Sequence, residues 1–192
     1  MPSALILIAD GTEEMEFTIT YDTLVRAGVK CTSAFVEPQG RKSENTYATC
    51  SRGVRIVPDM PEADIPLDAA DVFDAIVVPG GAKGAETISQ KPTIQALVRD
   101  FYGKKKVVSM ICAGSIAALE SGLPFQPLTS HPSVKEQLDR KYDYREDPVI
   151  VSSNLITSRG PGTAFPFALT IVEMLCGPEK RKEVYEPMVF PK

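Results

Sequence analysis

The sequence has few of the side chains that metal sites and disulfide frameworks need. Its 192 residues include one histidine and four cysteines, and the cysteines stand far apart at positions 31, 50, 112 and 176. No C-x-x-C pair occurs, which excludes a zinc finger and argues against a disulfide-stapled secreted domain. We therefore expect reduced thiols and no bound metal.

Long apolar runs are also absent. No stretch approaches the roughly 20 apolar residues that a membrane-spanning helix needs. The N-terminal apolar run extends only from Ala4 to Ala9, has no basic residue before it and is followed directly by Asp10. That pattern is typical of a buried strand and not of a signal peptide. We expect a protein of the cytoplasm, and also of the nucleus, with no membrane partner.

Positive charge is in short supply. Lysine and arginine together number 21 against 25 acidic residues, so the formal net charge is −4. A weakly acidic chain lacks the basic surface of a nucleic-acid binder, and no nucleic-acid partner is expected. Hydrophobic residues make up 43%, and a chain of this length buries enough surface for a core without staples. We expect a single domain over 1–192.

Short apolar runs alternate with longer amphipathic ones, and this alternation predicts the secondary structure. Strands are predicted over 4–9, 29–36, 74–79 and 106–111, with a late hairpin of 149–151 and 155–157. Helices are predicted over 14–27, 92–102, 113–121 and 164–176, and surface loops over 37–49 and 58–70. A β-α-β-α order favours an α/β sandwich with a mostly parallel central sheet and helices on both faces.

Cys112 stands where the strand over 106–111 ends and an alanine-rich helix begins. The small residues Ala113 and Gly114 permit a tight turn, so the segment resembles a nucleophile elbow. A helix N-terminus lowers the pKa of a thiol, which would make Cys112 reactive. The alternative is a small apolar side chain packed beneath a helix, because free cysteine is often buried.

Two further segments follow strands that end at the same edge of the predicted sheet. Gly80 and Gly81 end the strand over 74–79, and their N–H groups suit an oxyanion, although a plain turn would also use glycine. Glu16 follows the first strand, where helix capping is the simpler explanation for an acidic residue. Open α/β sheets bind ligands at the carboxyl ends of their strands. We therefore expect Glu16, Gly80, Gly81 and Cys112 to converge.

The remaining motifs carry less chemistry. His131 is the only histidine, so any cysteine–histidine pair must use it, whereas a lone loop histidine is often a surface residue. Gly160 and Gly162 open a helix, but Phe165 replaces the third glycine of a dinucleotide fingerprint. Cys31 and Cys176 are expected to be packing residues, and Cys50 to be exposed.

Five short blocks resemble the DJ-1/ThiJ/PfpI superfamily, in the family's order and from residue 4 to about 176, and are nearest to its parkinsonism-associated branch. The blocks are Ala9–Glu16 (ADGTEEME), Val78–Ala82 (VPGGA), Ile111–Gly114 (ICAG), Thr129–His131 (TSH) and Thr157–Thr163 (TSRGPGT). The resemblance implies a flavodoxin-like (Rossmann-like) fold and a homodimer. It departs from that branch at Ser115, where proline is usual, and in the length of the 37–49 excursion.

The resemblance also implies an enzyme. Cys112 would be the nucleophile, Glu16 the acid beside its sulfur and His131 the third catalytic residue, with the N–H groups of Gly81 and Ala113 around the oxyanion and Gly80 at the same turn. The implied activity is a glutathione-independent glyoxalase that converts methylglyoxal to lactate and protects against oxidative stress. Because the aldehyde is oxidised while the adjacent ketone is reduced, no external cofactor is expected.

Other functions fit the same residues. Oxidation of Cys112 could itself be the output of a redox sensor or chaperone, since an accessible thiol beside a carboxyl oxidises selectively. A cysteine peptidase or amidase would instead need His131 to activate Cys112, and a protein deglycase is a further alternative. A tightly held flavin is a more distant alternative.

Overall fold

The computed structural model describes residues 1–38, 40 and 46–191. The predicted 37–49 excursion therefore lies partly outside the described residues. Within the described residues, the central sheet consists of the seven strands β1 (Ser3–Ile8), β2 (Lys30–Phe35), β5 (Met60–Pro61), β6 (Ala75–Val78), β7 (Val107–Ile111), β10 (Val149–Ser152) and β11 (Leu155–Ser158). Their order across the sheet is β10-β11-β7-β6-β1-β2-β5. Among these strand pairs, only β10–β11 is antiparallel.

The sheet is buried on both faces, which explains why its central strands are continuous apolar runs. Along β1, Ile6 and Ile8 pack into one hydrophobic cluster while Leu5 and Leu7 pack into the other. Because side chains alternate along a strand, these two clusters lie on opposite faces. The predicted α/β sandwich with a mostly parallel sheet is confirmed.

Helices cover both faces. The cluster with Ile6 and Ile8 contains side chains of α1 (Glu14–Arg26), α7 (Ala164–Cys176) and α8 (Pro178–Tyr185). The cluster with Leu5 and Leu7 contains side chains of α2 (Ala69–Val72), α3 (Ala82–Ser89), α4 (Pro92–Gly103), α5 (Ile116–Glu120) and α6 (Lys135–Leu138). Two small sheets lie outside the main one: β3 (Ala48–Thr49) with β4 (Arg55–Ile56), and β8 (Pro127–Leu128) with β9 (Asp143–Tyr144).

Several elements differ from the prediction. The helix expected over 113–121 begins as a 3₁₀ turn over Cys112–Ser115 and becomes α-helical only at Ile116. The loop expected over 58–70 contains edge strand β5 and the start of α2. Helix α3 follows the Gly80-Gly81 turn directly. It was not predicted from the sequence, because the glycines around its start mask the hydrophobic periodicity. In the part of the chain that the structure describes, no helix is long and apolar enough to cross a membrane.

Candidate active site

Strands β1, β6 and β7 are parallel neighbours, so the segments that follow them meet at one edge of the sheet. Glu16, Gly80 and Cys112 come together there. A side-chain carbon placed on Gly80 would lie 2.5 Å from Cys112 Cβ and 2.6 Å from Glu16 Oε2. Real contacts of this kind are never so short, so glycine is required at position 80 to let the carboxyl and the thiol approach. The predicted convergence of these residues is observed.

Cys112 occupies a strained turn. Its φ of 62° lies in the left-handed region, which costs an L-residue about 1–2 kcal/mol. Gly114 makes the turn possible, because a side-chain carbon there would lie 2.6 Å from the carbonyl oxygens of Val78 and Pro79. The strained turn directly after a buried strand is the geometry of a nucleophile elbow.

Hydrogen bonds hold both the main chain and the side chain of Glu16 in place. The main-chain amide of Glu16 donates to Glu13 Oε2 at 2.8 Å, which caps the first turn of α1. Its own carboxyl oxygen Oε2 accepts a hydrogen bond from the Gly80 amide at 2.8 Å. Oε1 is buried and has no hydrogen-bond partner within standard geometry among the described residues. Glu16 is completely shielded from solvent, and one carboxyl oxygen remains available for a proton or a reacting group.

The carboxyl and the thiol influence each other's protonation. Burial raises the pKa of Glu16 to about 7, against smaller lowering effects of Cys112 and the Gly80 amide. Burial, together with the charge of Glu16, raises the pKa of Cys112 to about 12. When Glu16 carries the proton, its charge no longer opposes a thiolate on Cys112. Of the two groups, the carboxyl therefore ionises first and the thiol keeps its proton to higher pH.

This direction is opposite to the one expected for Cys112 from the sequence. A helix N-terminus lowers a thiol pKa when the thiol is solvated, but only 8% of Cys112 is exposed. The amides of Ala113 and Gly81 do lower the pKa of Cys112. Burial and the neighbouring carboxylate outweigh them. Both amides donate toward the Cys112 sulfur. They are the two N–H groups that the sequence resemblance assigns to the oxyanion site.

The loop that carries His131 is attached to the elbow by its main chain. The His131 amide donates to the Cys112 carbonyl at 3.2 Å. Two positions earlier, the Thr129 carbonyl accepts from the buried Ser115 hydroxyl at 2.9 Å. The His131 ring is exposed, and its Nδ1 atom contacts Ser133. The structure thus brings His131 beside Cys112, while its catalytic role stays a prediction.

Cys50, which was expected to be exposed, is buried with 4% of its surface accessible. Burial raises its pKa to about 11, and the charge of Glu14 acts in the same direction. Glu14 accepts hydrogen bonds from the Ser51 hydroxyl and the Arg52 amide, both at 2.8 Å. These bonds fold the turn after Cys50 over the N-terminus of α1. The sequence did not indicate this contact, because it joins residues 37 positions or more apart.

Groups that could hold a metal are not found at the site. Among residues 1–38, 40 and 46–191, no three histidine, cysteine, aspartate or glutamate side chains are grouped to bind a metal ion. The site consists of one thiol, one buried carboxyl and main-chain amides. These groups are the ones that covalent catalysis through a cysteine uses. The site and the fold therefore place the protein among α/β proteins that carry a cysteine at a nucleophile elbow.

Similarity to known proteins identifies the family within this class. The chain belongs to the DJ-1/PfpI family, which matches it over residues 2–174. It is 37% identical to glutathione-independent glyoxalase DJ-1 of Schizosaccharomyces pombe, with both chains covered completely. It is 38% identical to the Parkinson disease protein 7 homolog of Danio rerio, over 97% of this chain and 96% of the relative. The solved structure of Schizosaccharomyces pombe DJ-1 superposes with a TM-score of 0.92 at 36% identity, covering 98% of this chain and all of the other.

Proposed function

We propose that this protein is a glutathione-independent glyoxalase that converts methylglyoxal and other small 2-oxoaldehydes to 2-hydroxy acids. The observation that carries the proposal is the buried Glu16 carboxyl, whose pKa of about 7 suits proton transfer at neutral pH. It lies against the one thiol at a strained elbow. The name of the yeast relative supports the same activity. Such a reaction would remove reactive carbonyls and so protect the cell under oxidative stress.

The first step would be attack of the Cys112 thiolate on the aldehyde carbon C1. A C–S bond forms, and the electron pair of the C=O bond moves to oxygen, giving a hemithioacetal. The amides of Gly81 and Ala113, and the space left by Gly80, suit the oxyanion that develops. Glu16 accepts the proton of the thiol as the C–S bond forms and passes it to the oxyanion, which completes the hemithioacetal and leaves Glu16 as a carboxylate.

The second step would be an internal redox exchange. The hydrogen on C1 leaves as a proton to Glu16 or His131, and its electron pair forms the C1=C2 bond of an enediol. Return of that proton to C2, while the hydroxyl proton of C1 passes to the C2 oxygen, gives a thioester of lactate, in which C1 is oxidised and C2 reduced. Water then hydrolyses the C–S bond and regenerates Cys112. Methylglyoxal and water together have the atoms of lactic acid, and the oxidation of C1 equals the reduction of C2. The reaction therefore needs no external redox cofactor.

Two alternatives are less well supported. A redox sensor needs a thiol that is open to solvent, whereas only 8% of Cys112 is exposed. A peptidase would use His131 to activate Cys112, but the titratable group packed against the thiol is Glu16. The direct pairing of Cys112 with a carboxyl therefore favours a glyoxalase over a peptidase.

The test is turnover of ¹³C-labelled methylglyoxal without glutathione, followed by NMR of the product. Wild type is expected to form lactate, and Cys112→Ala to form none. Cys176→Ala, which removes a partly buried thiol at the C-terminal end of α7, is the matched control and is expected to retain full activity. Absence of lactate from folded, reduced wild-type protein would overturn the proposal.

Glu16→Gln separates catalysis from simple thiol reactivity. Loss of a positioned general acid–base costs about 100- to 10,000-fold in turnover, while alkylation of Cys112 by iodoacetamide is expected to continue. A Glu16→Gln protein with unchanged turnover would remove Glu16 from the mechanism and leave the redox-sensor alternative stronger.

A further inference from the structure

The single histidine is held in an arrangement that determines which ring nitrogen carries the proton. Nδ1 of His131 accepts a hydrogen bond from the Ser133 amide at 3.2 Å, and the Ser133 hydroxyl lies 2.8 Å from the same atom. An amide N–H can only donate, so Nδ1 must offer a lone pair. A neutral imidazole has one donor and one acceptor nitrogen. The proton of the neutral ring is therefore on Nε2.

The loop around the ring is fixed on three sides. The His131 amide is bonded to the Cys112 carbonyl, and Thr129 is bonded to Ser115 and, through its amide, to the Thr157 hydroxyl at 2.9 Å. Gly160 faces the other edge of the ring, where a side-chain carbon would lie 3.7 Å from Cδ2. The main chain beside His131 is thus held at the nucleophile, and the tautomer determines what the ring can do there.

We propose that Ser133 is a positioning residue: it fixes the Nε2–H tautomer of His131, so that the ring donates a hydrogen bond to the substrate oxygen and proton transfer falls to Glu16. This rests on the proposed function and removes the choice between Glu16 and His131. In the isomerisation, Glu16 takes the proton from C1 and returns it to C2. Nε2–H stabilises the charge that develops on the C2 oxygen until the hydroxyl proton of C1 passes to that oxygen, and it keeps its own proton.

The fact that the chain has one histidine makes the tautomer directly measurable. In ¹⁵N-labelled protein, a long-range ¹H–¹⁵N correlation spectrum contains one imidazole, whose two nitrogen shifts report the proton position. The spectrum is recorded at alkaline pH. The Nε2–H form should be more populated in the folded protein than in the same protein unfolded in urea. Equal populations in the two states would overturn the proposal.

Ser133→Asp is the decisive variant. It keeps the main-chain amide of residue 133, but it places a carboxylate, which only accepts, where the hydroxyl now meets Nδ1. The carboxylate competes with the amide for Nδ1 and should draw the proton onto that atom. Loss of one donor to a developing oxyanion costs about 100-fold in kcat, and we expect a loss of that size with little change in KM. Ser133→Thr keeps the hydroxyl and should retain both the wild-type tautomer and the wild-type turnover.

Gln137→Glu is the matched control, because it adds the same charge at an exposed position four residues further on. Its tautomer and turnover should equal those of wild type. A Ser133→Asp protein with a reversed tautomer and unchanged kcat would overturn the role of Nε2–H. The NMR measurement needs no turnover, so an inactive wild-type protein would refute the glyoxalase and still decide the tautomer.

Discussion

Glu16 combines a titratable group with complete burial, and this has a cost that depends on pH. The carboxyl is neutral below a pKa of about 7 in the folded protein, compared with 4.5 when exposed. Between these values the folded state binds more protons than the unfolded state. Stability therefore falls as pH rises through this window. The group that serves proton transfer also destabilises the fold at neutral and alkaline pH.

Glu16→Gln should remove that pH dependence. A pKa raised from 4.5 to about 7 corresponds to about 3 kcal/mol. Relative to wild type, the variant should gain about that much stability on going from about pH 4.5 to about pH 8. Urea unfolding at both pH values measures it, with the comparison repeated in a Cys112→Ala background to remove the thiol. A stability difference that is the same at both pH values would contradict the assignment.

The backbone of Cys112 makes a second prediction at a single residue. At a φ of 62° alanine pays the left-handed cost of about 1–2 kcal/mol and glycine does not. Cys112→Gly should therefore be more stable than Cys112→Ala by about 1 kcal/mol in denaturant unfolding. In helix α5 the order is reversed, and Ala117→Gly should lose about 1 kcal/mol. If glycine were the less stable residue at both positions, the elbow would not be strained.

At the scale of elements, the loop of His131 depends on the elbow that it faces. The Ser115 hydroxyl donates to the Thr129 carbonyl inside the protein, and Ser115→Ala would leave that oxygen unpaired. An unsatisfied buried acceptor costs about 1–3 kcal/mol. Faster hydrogen exchange of the His131 amide should accompany the loss. Ser121 is equally buried, but its hydroxyl has no partner among the described residues, so Ser121→Ala should be close to neutral in both measurements.

The central strands could be predicted from the sequence because burial on both faces leaves a local signature. The run at 4–9 is displaced from β1 by one residue at each end, and the run at 106–111 starts one residue before β7. The convergence of Glu16, Gly80 and Cys112 could be predicted as well, because neighbouring parallel strands end at one edge of the sheet. The predictions that were wrong concern properties that depend on contacts between residues distant in the sequence. The pKa of Cys112 and the burial of Cys50 are set by neighbours more than 30 positions away, and Ser115 stood out in the sequence only as a departure from proline.

At the scale of the whole molecule, helix α1 and the segment that follows β4 expose apolar side chains to solvent. Val25 and Val57 are 48% and 73% exposed, and both line a groove of about 430 Å³ beside Tyr21 and Ile56. Exposed apolar patches of this kind mark interaction surfaces. The homodimer implied by the resemblance would bury this face, using the same patch on both copies.

Light scattering after size-exclusion chromatography should therefore give about twice the chain mass of 20.9 kDa. Val57→Glu places a charge in the groove and should yield a folded monomer, because a buried unpaired charge is strongly unfavourable. Val151→Glu is the control: Val151 is 50% exposed on the edge strand β10, and the dimer should persist there. A wild-type monomer, or a Val57→Glu dimer, would show that this groove is not the interface. Since the proposed catalytic groups all come from one chain, the monomer should keep its turnover.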